Sequence, residues 1–232
     1  MSELTDILDR FNRKERNFLI RNAVGHSPRE APTLNDAFRN RIGAALGGLD
    51  IPADVWWATD YHLNWIAGAL VRWRYGEKTI GAVQNNLLAE SGRRLVEPSQ
   101  EDADLLMVFD STLILVEVKA FGYFSNKQIN SKLARWRLLK TLSELLGTNV
   151  TFHFLLMSPV KPEGLIPPPN DLLPGVSEWP HAKLNVHSPL QKLNVSGRRQ
   201  GAGAPPVDSK TWFIVSVPGG ADEEDDEFGE PN

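Results

Sequence analysis

Asp104, Glu117 and Lys119 are the residues of this chain whose types and spacing point most directly to chemistry. They sit in two apolar runs, EDADLLMVF and TLILVEVKA, separated by Asp110-Ser111-Thr112. Glu117 and Lys119 are two apart, so on a strand their side chains leave the same face while Val116 and Val118 point the other way. Two carboxylates held close in a partly dry site repel each other, and a divalent cation relieves that repulsion. Mg²⁺ accepts one or two carboxylates, several waters and a phosphate oxygen. An ion so held polarises a phosphoryl group and helps generate hydroxide near neutral pH. A lysine beside it would orient or deprotonate the attacking water, or offset charge in the transition state.

The elements that must position these groups are legible around them. The short turn predicts that the two strands are antiparallel neighbours. A two-residue turn at Asp110-Ser111 pairs Asp104 with Glu117 on one face, whereas a three-residue turn sets it opposite Val118 unless a bulge intervenes. Both registers are open at this stage. Continuous apolar centres in both strands indicate a sheet covered on both faces, as when helices flank it. Upstream, a helix is expected over Ile80 to Ser91, stopped at Gly92, then a short strand from Arg94 to Glu97. Downstream, Ile129, Leu133, Trp136, Leu139, Leu142 and Leu146 step by three and four, which predicts a helix from Ser125 that ends at Gly147. Val150 to Met157 reads as a further strand.

Asp104, followed after twelve residues by Glu117-Val118-Lys119, with a helix before and another after, resembles the core of the PD-(D/E)xK superfamily of restriction-like nucleases. That family runs helix, three-stranded meander, helix, strand, an order expected here over about residues 79 to 157. The resemblance implies an α/β fold with a restriction-endonuclease-like core (αβββαβ, a mixed sheet flanked by helices). It also implies a nuclease dependent on Mg²⁺ or Mn²⁺, in which Asp104 and Glu117 bind the metal and Lys119 is catalytic. Ala103 stands where the family name has proline, a residue without a chemical role. Gln128 resembles a helix position used by several branches for substrate or metal contacts, and Ser125-x-x-Gln128 also reads as a capping box. An acid from the first core helix has no convincing match, since Glu90 and Gln84 both read more readily as solvated or polar flanks.

Lys127, Lys132 and Arg135, with Arg137 and Lys140, load the helix after the site with positive charge, so phosphate contact is expected of the first three. The alternative is a solvated outer face. Arg198 and Arg199, in a glycine-rich stretch, are weaker candidates of the same kind. His62 has no assignable place, and His153 reads as a core residue. Neither a Gly-x-x-x-x-Gly-Lys phosphate loop nor a Gly-x-Ser-x-Gly elbow is present, which leaves ATP motors and serine hydrolases unsupported.

Around this core, residues 1–78 read as a helical N-terminal layer. Leu4, Ile7, Phe11 and Phe18 mark one helix, Leu34 to Leu46 a second, and Tyr61 to Trp73 a third capped by Asp60, with Trp56, Trp57, Trp65 and Trp73 packing the layer onto the sheet. The nuclease-like core is expected over 79–217. It includes a long loop at 159–180, where seven prolines resist regular structure, and a last strand at Thr211 to Val217. The repeat KLNV at 183–186 and 192–195 suggests two arms of a hairpin. Residues 218–232 form an acidic tail with the composition of disorder.

The formal charge of −4 misleads, because residues 222–230 hold seven carboxylates and no cation, leaving 25 Lys and Arg against 22 Asp and Glu elsewhere. That balance permits a polyanion, DNA being the expected partner, while the tail suits a basic protein partner or its own chain's basic groove, and a homodimer is compatible with all of this. The chain of 232 residues contains no cysteine, which excludes disulfides, thiolate metal sites and a cysteine nucleophile and fits a reducing compartment. With neither a secretory signal nor an apolar run of bilayer-spanning length, a cytoplasmic location without a membrane partner is expected. A second function, of a different class, is a catalytically inactive nuclease-fold module that binds nucleic acid or protein.

Overall fold

The computed structural model describes residues 3–11, 19, 33–76, 96, 101–120 and 123–186, together with the course of two strands at 191–196 and 213–218. The expected helix over Ile80 to Ser91, most of the strand at Arg94 to Glu97, Glu90, Gln84, Arg198, Arg199 and the acidic tail lie outside them. The chain divides into two compact units, Met1–Leu184 and Asn185–Asn232.

The first unit is a mixed α/β fold. Its elements run α1 (Glu3–Asp9), α2 (Asp36–Ala45), β1 (Trp56–His62), α3 (Leu63–Tyr75), β2 (Asp102–Phe109), β3 (Thr112–Val118), α4 (Asn126–Leu146), β4 (Thr151–Ser158) and β5 (His181–Lys183). The five strands form one sheet in the order β1-β2-β3-β4-β5. β1, β2 and β3 are an antiparallel meander, and β4 and β5 continue it in parallel pairing. The parallel step from β3 to β4 needs a crossover, which α4 supplies.

Alternation along the strands divides the core. Leu106, Val108, Leu113, Leu115, Phe154 and Leu156 join the apolar residues of α1, α3 and α4 on one face. Leu105, Met107, Ile114, Val116, Leu155 and Met157 join Ile42 and Phe38 of α2 on the other. The sheet is therefore covered on both sides, as the uninterrupted apolar runs required.

One reading of the N-terminal region is corrected. Residues 56–62 form a strand, not helix, so Trp56 and Trp57 are sheet residues. His62 is the residue before the first turn of α3 and Asp60 lies inside the strand. The strand passes into the helix with no loop between them, so no turn residue marks the change. Asp60 has φ 50°, and the side of the sheet served by β1 changes phase there. Trp56 and Ala58 pack on the helix-rich face, and so does Tyr61, a step of three rather than two. Among the described residues the antiparallel meander is thus β1-β2-β3, with α3 following β1 in sequence.

Helix α4 follows the sequence reading closely. The Ser125 side chain accepts from the backbone N–H of Gln128, and Gly147 closes the helix in the left-handed region at φ 65°. Residues 159–180 contain no helix or strand. Leu172, Leu173 and Trp179 nevertheless bury in the larger core cluster, and the Trp179 indole donates to the carbonyl of Ile166 at 2.7 Å. The KLNV repeat is not a hairpin. Its first copy starts in β5, which pairs with β4, and its second lies in β6 (Gln191–Ser196), which pairs with β7 (Phe213–Pro218) in a separate antiparallel sheet. That last strand falls where the apolar run at 211–217 predicted one. Among the described residues no helix is long and apolar enough to cross a membrane.

Candidate active site

The register between β2 and β3 decides whether the charged residues meet. Phe109 pairs with Thr112, and the ladder continues through Leu105 opposite Val116. The connection is therefore the two-residue turn Asp110-Ser111, with Asp110 at φ 46°, a conformation that aspartate tolerates better than most residues. Carried one step past the last ladder pair, this register sets Asp104 opposite Glu117. Beyond that pair the strands are joined by side chains. Asp104 Oδ2 accepts from the Val118 N–H at 2.7 Å.

Glu117 is only 4% exposed. It faces the α4 side of the sheet, in phase with Leu113 and Leu115, and its Oε1 lies 2.7 Å from the Lys132 ammonium. The same ammonium donates to the Asp102 carbonyl, so Lys132 ties the start of β2 to the end of β3. Burial pushes the Glu117 carboxyl up to about 7, against the pull of Lys132; the Asp104 charge adds to the rise and the Lys119 charge opposes it. Lys119 is half-buried and is anchored by its backbone N–H, which donates to the Met157 carbonyl at 2.9 Å. Alternation puts its side chain on the face that carries Glu117.

The remaining expected residues divide. Gln128, Lys132 and Arg135 step by four and three along α4 and so share one stripe of it. Gln128 is half-buried, and its backbone is capped by Ser125 at 3.2 Å. Its side-chain amide makes no return bond among the described residues, so only half of the capping box is formed. Arg135 is 6% exposed and donates to Asn64 Oδ1, clamping α4 to α3. Of the three cations expected to meet phosphate, Lys127 alone is exposed, while Lys132 and Arg135 turn inward to protein acceptors. Arg137 pairs with Asp171 at 2.6 Å and Lys140 with Glu144 at 3.1 Å, both near the surface.

His62 belongs to the same polar neighbourhood. It pairs with Asp102 across β1 and β2, its Nδ1 meets the Asp102 carboxylate, and its ring packs edge-on against Trp65 at 4.0 Å. Beside it, Glu101 accepts from the Ser131 hydroxyl through one oxygen, while its other oxygen is buried without a partner among the described residues. The positive charge of Lys132 points to solvent or phosphate rather than to this place inside the site. The available signal was its four-three spacing with Gln128 and Arg135 next to the Ile129, Leu133, Trp136 stripe.

The donor set tests for a metal ion in a simple way. Asp104 Oδ1 and Glu117 Oε2 are hard oxygen donors, and Glu117 resists carrying its charge in the absence of further positive charge. Among the described residues no third carboxylate or imidazole joins them. Two carboxylates suffice for Mg²⁺ or Mn²⁺ that keeps waters and takes a phosphate oxygen, so the residues fit such an ion. In comparisons with family models, with curated proteins and with solved structures, nothing matches this chain.

Proposed function

We propose that this chain is a divalent-metal-dependent nuclease of the PD-(D/E)xK type, hydrolysing phosphodiester bonds with DNA as its expected substrate. The observation that carries the reading is the two-residue turn at Asp110-Ser111, whose register sets Asp104 beside Glu117 at one end of two strands with apolar centres. The helix, three-stranded meander, helix, strand order supports it too, taken as α2, β1-β2-β3, α4 and β4 with α3 as an insertion.

In this reading Asp104 and Glu117 hold Mg²⁺ or Mn²⁺, which when bound polarises the scissile phosphoryl group and acidifies water. The Val118 N–H fixes the Asp104 carboxylate in rotation. Lys132 does the same for Glu117. Lys119, on the strand face shared with Glu117, orients the attacking water by its ammonium. Helices on both faces of the sheet restrict water to the open end, where charge interactions are stronger than in bulk solvent. Of the three α4 cations expected to meet phosphate, Lys127 at the start of the helix is the exposed one that meets the nucleic-acid backbone.

The test is cleavage of single- and double-stranded DNA and RNA in Mg²⁺, Mn²⁺ or EDTA, beside Asp104→Ala and Lys119→Ala. Metal-dependent cleavage that each substitution removes supports the reading; cleavage that survives both rules out this site. One observation favours a second function: Lys132 already meets the Glu117 charge, as in a nuclease fold retained only for binding. Nucleic-acid binding without cleavage under any metal identifies that case.

A further inference from the structure

Lys132 belongs to the helix that follows the site, yet its ammonium lies inside it. The side chain is 14% exposed and its Nζ is 2.7 Å from Glu117 Oε1. A second donor of the same ammonium reaches the Asp102 carbonyl, two residues before Asp104 on the same strand. A cation therefore already sits on the α4 side of Glu117, attached by a covalent tether rather than taken from solution.

The carboxylate oxygens divide accordingly. Glu117 Oε1 is engaged by Lys132 and Asp104 Oδ2 by the Val118 N–H. Among the described residues that leaves Asp104 Oδ1 and Glu117 Oε2, one from each residue, which is a donor set for one hard ion completed by waters. Two-metal sites hold their ions roughly 3.5–4 Å apart and share carboxylates between them. A second ion beside Glu117 would have to approach Oε1 where the Lys132 ammonium already stands, and among the described residues no third carboxylate or imidazole joins to offer another seat.

Resting on the nuclease reading, we infer that Lys132 is a positioning residue that takes the place of a second metal ion, so that the site binds a single divalent cation. The ammonium supplies positive charge next to Glu117 without a second binding equilibrium. Its two protein acceptors hold it at the junction of β2 and β3, so it also fixes the rotamer of the Glu117 carboxylate.

The experiment counts Mn²⁺ bound per chain at saturation, by equilibrium dialysis read out with electron paramagnetic resonance, alongside the cleavage assay. The full-length wild type should bind one Mn²⁺, Lys132→Arg one, and Lys132→Gln two, with a spin-coupled signal from neighbouring ions. Two Mn²⁺ per wild-type chain that cleaves DNA would overturn the inference and leave the nuclease reading intact. A single Mn²⁺ in folded Lys132→Gln would overturn it equally. Should Lys132→Gln fail to fold, the wild-type count still decides. A wild type that binds no Mn²⁺ and cleaves nothing removes the nuclease reading, and this inference with it.

Discussion

Two of the ion pairs on helix α4 have similar geometry and opposite meaning. At one end Lys132 meets Glu117 at 2.7 Å with side chains 14% and 5% exposed; further along, Arg137 meets Asp171 at 2.6 Å with side chains 45% and 58% exposed. In the exposed pair water solvates both groups in either state, so the Arg137 guanidinium can hold the Asp171 carboxyl below its usual range without a large energetic cost. In the buried pair desolvation dominates, and Glu117 is pushed up to about 7 although a cation touches it. Distance alone does not say which pair matters. A carboxylate that is disfavoured as an anion, even beside a lysine, is one that additional positive charge would stabilise.

Four experiments break or sharpen that contrast. The largest effect is expected in catalysis. Asp104→Ala or Lys119→Ala should lower metal-dependent cleavage by about 100-fold or more, typical of removing a ligand or charge that acts on the transition state, whereas Arg137→Ala should leave turnover within the error of the assay. Next is stability. Lys132→Ala leaves Glu117 buried without its partner and should cost about 3 kcal/mol in urea unfolding at pH 8, at the lower end of the range for broken buried pairs. The cost should shrink at pH 5, where Glu117 takes up a proton instead.

The third experiment isolates the sign. A carboxyl whose folded pKa is raised stabilises the fold fully below its unfolded pKa of 4.5 and loses that contribution as pH rises through about 7. On the order of 3 kcal/mol should disappear from wild-type stability across this window, at about 1.4 kcal/mol per pKa unit. Glu117→Gln should flatten that slope, and added Mn²⁺ should offset it in the wild type only. An unchanged slope in Glu117→Gln would assign the pH dependence to other groups. The smallest effect is that of Arg137→Ala, below about 1 kcal/mol and fading with added salt, as for exposed pairs.

What could be read from residues alone follows the same division between local and distant causes. Helix α4 was legible because its cap Ser125, its apolar steps and its terminating Gly147 are all local. The β2–β3 pair was legible as two strands and a turn, while its register stayed open because Asp110-Ser111-Thr112 accommodates loops of two or three residues. The choice rests on Asp110 adopting φ 46°, which no pattern of apolar residues encodes. β1 was hidden by Asp60, which resembles a helix cap, and by the phase change there that breaks period-two alternation. By sequence Lys132 and Arg135 belong to a solvent-facing or phosphate-facing set, because lysine and arginine in a helix are usually exposed. Their acceptors, Glu117, the Asp102 carbonyl and Asn64, come from other elements and become neighbours only once the sheet and α3 have packed.

The break at Asp60 has a consequence for solubility. Among the described residues β1 is the outermost strand of its sheet on one side, and β5, on the other, has only three residues. A long, regular edge strand offers unpaired backbone groups on which another chain can template. With φ 50° at the fifth of its seven residues, β1 presents no uninterrupted run of that kind. The irregularity that concealed the strand from a reading of its sequence is thus also a guard against strand addition by neighbouring molecules.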